Sequence, residues 1–221
     1  MELKSRLLVE SLEMQFQKNI TDISIEEIES LEHISLKNFY SDDVCFEELH
    51  IFLNVESICL DSFQIDDYII EKINSLEKLN SIIFDNCTIE NINKLLVNRL
   101  KKLSFINCAL DSYEFIKNAN KLIELKIINK NDDEIIDIGY ISNSLKMLVL
   151  DNCDICNFNK ISKLSIECLS LLNTIIDIDE ISTIDNISTL KILYIDETYS
   201  KLIKNKNVVI KTSINEDLFS D

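Results

Sequence analysis

Apolar residues recur along the chain in one short figure. Leu79, Ile82, Phe84 and Ile89 hold positions 1, 4, 6 and 11 of a window whose positions 8 and 9 are Asn86 and Cys87. The figure returns at Leu100, Leu103, Phe105, Asn107, Cys108 and Leu110, and again at Leu145, Leu148, Leu150, Asn152, Cys153 and Ile155. Positions 4 and 6 alternate with their neighbours, which is the period of a strand with one buried face. Looser windows begin at Leu31, Val55, Leu122, Ile166 and Leu190. The fourth-position residues are Ile34, Ile58, Ile82, Leu103, Leu125, Leu148, Leu169 and Leu193, spaced by 24, 24, 21, 22, 23, 21 and 24 residues. Weaker units are read at Met14, Phe16 and Asn19, and at Val208 and Ile210.

The stretches between strands carry helical spacing. Ile69, Ile70, Ile73 and Leu76 fall on one face of 66–78, with Asp66 or Asp67 as N-cap. Ser24 and Glu27 form a possible capping box. Ile92, Leu95 and Leu96, and then Phe115 and Ile116, predict two more helical segments, and 24–32 and 42–50 read as helices with Glu outward.

The windows resemble the leucine-rich repeat, L-x-x-L-x-L-x-x-N/C-x-L, whose period is about 20–29 residues. The resemblance implies an α/β fold: a leucine-rich-repeat solenoid, a curved horseshoe with parallel strands on the concave face and short helices or irregular segments on the convex face. It covers the whole chain as a single domain, 1–221, with about 8 clear repeats and atypical capping units at about 1–30 and 199–221. The short repeats resemble the intracellular type. One such unit cannot bury its apolar face alone, whereas stacked units share a continuous core.

Position 9 points into the turn and holds Phe39, Phe63, Cys87, Cys108, Lys130, Cys153, Thr174 and Thr198. The cysteines read as a buried ladder of small residues rather than a thiol or metal cluster. Cys153 and Cys156 form a lone C-x-x-C, too little for zinc or redox chemistry, and Cys153 already has a place in the repeat. The recurrent Asn at position 8 suits a left-handed turn. Segment 130–134, Lys-Asn-Asp-Asp-Glu, breaks the figure and is expected as a solvated loop.

Composition narrows the field. Gly139 is the one glycine, so Gly-rich phosphate loops and dinucleotide fingerprints are excluded. Proline and tryptophan are absent and Ala and Arg number two each, a bias toward residues of AT-rich codons that weakens any design argument from missing Gly and Pro. The formal charge of −17 opposes binding to nucleic acid through phosphates. Most of it lies in residues 1–78, net −12 against −5 in 79–221. That asymmetry serves solubility and would also steer a basic partner. The first residues lack the apolar segment of a signal peptide, no apolar run reaches the roughly 20 residues of a membrane span, and seven cysteines suit free thiols. The expected location is therefore a reducing, cytoplasmic compartment, with no membrane partner.

Candidate chemistry is sparse. His33, with Cys59 one strand on and Glu13 one strand back, is the one nucleophilic arrangement. Positions 3 and 5 of neighbouring strands lie on a diagonal of about 8 Å, too far for a Cys–His pair, and no oxyanion hole is in prospect. The expectation is a non-enzymatic chain without cofactor or metal. Binding is expected on the concave strand face, at positions 3, 5 and 7. The N-terminal units offer mostly polar groups there, among them Gln15, Ser35, Lys37, Ser57 and Asp61. Later units offer Ile83, Asp85, Ile106, Ile128, Met147, Val149, Asp151, Leu172, Ile192, Tyr194 and Asp196, an exposed apolar strip rimmed by carboxylates. This points to a protein–protein interaction module, possible alternatives being a self-associating structural repeat protein or a secreted, host-directed effector of the same fold.

Overall fold

The computed structural model describes residues 3–38, 46–128 and 135–213. The chain divides into two compact units, Met1–Asp111 and Ser112–Asp221.

Unit 1 opens with two helices. Helix α1 (Arg6–Phe16) begins at Ser5, whose side chain accepts the amide of Leu8, and buries Leu7, Leu8, Ser11 and Leu12. The expected strand-like unit at Met14 and Phe16 is therefore helical, because the N-cap and the 3.6-residue apolar period override the short alternation of 14–16. Helix α2 (Ile25–Glu29) carries the expected capping box of Ser24 and Glu27. Strands β1 (His33–Lys37), β2 (Ser57–Asp61), β3 (Gln64–Ile65), β4 (Ser81–Asp85), β5 (Thr88–Ile89), β6 (Lys102–Ile106) and β7 (Ala109–Leu110) come next in the chain, with helix α3 (Asp67–Ser75) after β3. Strands β1, β2, β4 and β6 pair in parallel, in chain order and in the repeat's own register: Ile34, Ile58, Ile82 and Leu103 lie side by side. The minor strands β3, β5 and β7 form a second parallel ladder at the turn. Phe84 and Phe105, both fully buried, stack at 5.5 Å between centroids and 11° between planes.

Unit 2 repeats the plan with β8 (Glu124–Ile128), β9 (Ile135–Asp137), β10 (Met147–Asp151), β11 (Asp154–Cys156), β12 (Cys168–Leu171), β13 (Ile192–Ile195) and β14 (Val209–Lys211), and a single-turn helix α4 (Glu197–Ser200). Strands β8, β10, β12, β13 and β14 pair in parallel, and β9 pairs with β11. The strand expected at Val208 and Ile210 is β14.

The connections are leaner than their apolar spacing predicts. Helix α3 forms with Asp66 as its N-cap, buries Ile69, Ile70 and Ile73, and stops at Ser75. The segments at Ile92 and at Phe115 are tight 3-10 turns, Ile92–Lys94 and Glu114–Asn118, and Leu96 is half in solvent. Of the expected 42–50 helix, the described part is a 3-10 stretch, Phe46–Ile51. Repeats of 21–23 residues leave too little chain for more than a turn or two. Phe39, Lys130 and the rest of 130–134 lie outside the described residues.

Candidate interaction surface

Each strand sends positions 4 and 6 into the core, so positions 3, 5 and 7 form the opposite, open face. The turn after each strand fixes that geometry. Asn86, Asn107, Asn152 and Asn173 at position 8 all have φ near +50°, the left-handed region that Asn tolerates, and Ser62 takes the same conformation in its own unit. The next side chain then turns inward. Cys87 donates its thiol to the carbonyl of Leu60, Cys108 to that of Phe84 and Cys153 to that of Ile127, at 3.3–3.4 Å. Thr174 continues the ladder with a 2.6 Å bond to the Leu150 carbonyl. These buried thiols therefore satisfy backbone acceptors of the preceding strand.

In unit 1 the register sets Cys59, Ile83 and Ser104 in one row and Asp61, Asp85 and Ile106 in another. Lys37 pairs with Asp61 at 2.8 Å. Burial pushes the Asp61 carboxyl up, but hydrogen bonds from Lys37, Ser62 and Asn86 outweigh it and hold the group below the usual carboxylate range. At Asp85 burial, then the charge of Asp61, outweighs the Lys37 charge and the Asn86 amide and raises the carboxyl. His33 faces Ser57 and Cys59 faces Ser35, so the imidazole and thiol stay on the diagonal. Burial raises the Cys59 thiol, which keeps it protonated and a poor nucleophile. Glu13 sits in helix α1 and accepts the amide of Ile20 rather than facing His33 from a strand. In the lone C-x-x-C, Cys153 is committed to backbone carbonyls, and burial together with the charge of Asp137 raises Cys156.

In unit 2 the open face has three rows. Met147, Cys168 and Ile192 form the first, and Val149, Ser170 and Tyr194 the second. Ile128 lies beside Asp151 in the third, which Leu172 and Asp196 continue at position 7 of their repeats. The strip is less open here than the alternation implies. Val149, Asp151, Leu172 and Tyr194 are only 1%, 4%, 5% and 3% exposed. Side chains on strands about 4.8 Å apart pack on one another: Leu172 and Tyr194 form a cluster against which Met147, Cys168 and Ile192 rest. The half-buried members, Ile83, Asp85 and Ile106 in unit 1 and Ile128, Met147, Ile192 and Asp196 in unit 2, are those a partner could touch without repacking.

Asp151 Oδ1 accepts the Ser170 hydroxyl at 2.6 Å and the Leu172 amide at 2.9 Å, whereas its Oδ2 meets no donor. Burial raises this carboxyl, the two hydrogen bonds oppose the rise, and the charge of Asp196 adds to it. Cys168, Ser170 and Lys211 also belong to this face; the first two stand at positions 3 and 5 of the repeat template, which would have named them had polarity not been the filter. Lys211 lies in the degenerate last unit, where its ammonium sits 5.1 Å over the Tyr194 ring and 3.2 Å from its hydroxyl. Among the described residues, no group of three or more His, Cys, Asp or Glu could hold a metal ion, and no helix is long and apolar enough to cross a membrane.

Parallel register, inward ladder and left-handed Asn turns together define a leucine-rich-repeat solenoid. A solved structure of an internalin (inlF) from Listeria monocytogenes is similar to this chain with a TM-score of 0.64 at 18% identity, over 93% of this chain and 68% of that one. No protein-family model matches the sequence, and no curated protein matches it.

Proposed function

We propose that the chain is a non-enzymatic protein-binding module that engages its partner through the open strand face. The observation that carries this reading is the half-buried apolar side chains on the open strand faces, Ile83 and Ile106 in unit 1 and Ile128, Met147 and Ile192 in unit 2, which stay partly open to solvent. Apolar groups bordered by carboxylates suit a protein surface, because the apolar part supplies burial and the acids select orientation. The net charge of −17 favours a basic partner and disfavours nucleic acid. The protonated, diagonal Cys59 supports the non-enzymatic reading. The odd number of cysteines, seven, suits a reducing compartment, which is part of the same proposal.

The test is capture from a lysate of the source cells with the unaltered protein and with Ile106→Glu/Ile128→Glu, both substitutions lying outside the core. A specific partner retained by the first and lost by the second, with unchanged circular dichroism, is the expected result. Equal retention by both rules this face out as the binding surface.

A further inference from the structure

We propose that Asp151 anchors a cation-accepting socket on the open face of unit 2, built to take the charged head of a basic side chain from a partner protein. The proposal deepens, and rests on, the reading of this face as a protein-binding surface.

Asp151 closes strand β10 and is 4% exposed. Two donors from the neighbouring strand and its turn, Ser170 Oγ and Leu172 N, both bind Oδ1 and so fix the plane of the carboxyl. Oδ2 is left without a donor among the described residues. A buried acceptor without a partner destabilises the chain that carries it, and natural structures keep few of them. Among the described residues, no charged group answers it. Asp196 repels it, Lys211 is engaged with Tyr194, and Lys126 on β8 pairs with Glu124 at 2.8 Å.

The surroundings choose the occupant. One oriented carboxylate oxygen calls for an N–H donor with positive charge, and the apolar neighbours Val149 and Leu172 strengthen that attraction by excluding water. A divalent metal needs several oxygen ligands, and no group of three or more His, Cys, Asp or Glu is gathered here among the described residues. An anion would be repelled. Ile128, half-buried and directly beside Asp151 in the strand register, offers apolar surface along which the methylene stem of a lysine or arginine can lie.

The probe is n-butylammonium chloride, compared at equal ionic strength with choline chloride, whose cation has no N–H donor. The side-chain carboxyl carbon of Asp151 is tracked by NMR from about pH 3 to about pH 8 in each salt. The expected result is a titration midpoint lower by about one unit in n-butylammonium, a tenfold preference of that cation for the ionised carboxylate. An equal midpoint in the two salts overturns the socket. This comparison needs only the unaltered protein. As a second readout, the Ile128 methyl signals should shift on adding n-butylammonium at neutral pH and should not shift in a folded Asp151→Asn variant; an equal shift in both again overturns the socket. Capture that depends on Ile106 and Ile128, without the salt-specific midpoint, rejects the socket and leaves the binding face standing. The salt-specific midpoint, with capture indifferent to those residues, keeps the socket and rejects the wider face.

Discussion

Thr174 offers a direct test of the ladder that sets the strand face. Its side chain is buried, donates to the Leu150 carbonyl at 2.6 Å and accepts the Cys153 amide at 3.3 Å. Thr174→Val keeps the shape and removes both the donor and the acceptor. Each buried backbone group stranded this way costs about 1–3 kcal/mol. With partial relaxation the variant should lose about 2–4 kcal/mol. Thr174→Cys instead installs the residue that Cys87, Cys108 and Cys153 place at the same position. Its thiol is a weaker donor but still reaches a carbonyl in those three repeats, so the loss should stay near 1 kcal/mol. At roughly 2–4 °C per kcal/mol for a chain of this size, valine should lower the melting temperature by about 4–16 °C and cysteine by about 2–4 °C. Circular dichroism during a thermal ramp reads both, with urea titration as the isothermal check. A valine variant at least as stable as the cysteine variant would refute the claim that position 9 works through hydrogen bonding rather than size.

Three further outcomes rest on the same geometry. Burial raises the Asp151 carboxyl in the folded state above its unfolded value, so the fold binds that proton more tightly; stability is greatest below the unfolded value and falls as pH rises through the folded one. Asp151→Asn should remove this fall and be the more stable protein at neutral pH in urea titrations from about pH 4 to about pH 8, and identical pH slopes would reject it. Phe84→Ala, which empties a fully buried site stacked on Phe105, should cost about 3–5 kcal/mol by chemical denaturation. Asn107→Ala, at a φ of 51°, should cost about 1–2 kcal/mol whereas Asn107→Gly should be close to neutral, and equal losses would remove the conformational explanation.

Repeat spacing made the strands and their register legible, because a two-residue alternation locked to a period of 21–24 residues leaves one way to stack. The Asn turns and the cysteine ladder were legible for the same reason. The ends and the connections were harder. Leu7, Leu8 and Leu12 make a helix that the alternation at Met14 and Phe16 disguised, and the short spacers around Ile92 and Phe115 carry helical spacing over too few residues to sustain a helix. Alternation also assigns Val149, Leu172 and Tyr194 to the open face but not their depth. That depth comes from neighbours in other repeats: a Tyr opposite a Ser on adjacent strands closes a row that two mid-sized side chains would leave open. The unanswered Oδ2 of Asp151 is of the same kind, fixed by a hydroxyl 19 residues away.

That partners meet the open strand face is tested most directly by site-specific photocrosslinking. A benzophenone side chain is placed at Ile83 or Ile192 on that face, and at the exposed Glu71 or Ser182 on the connections. One covalent adduct of the same mass is expected from Ile83 or Ile192, and none from Glu71 or Ser182. Adducts from Glu71 or Ser182 alone would contradict binding through the strand face.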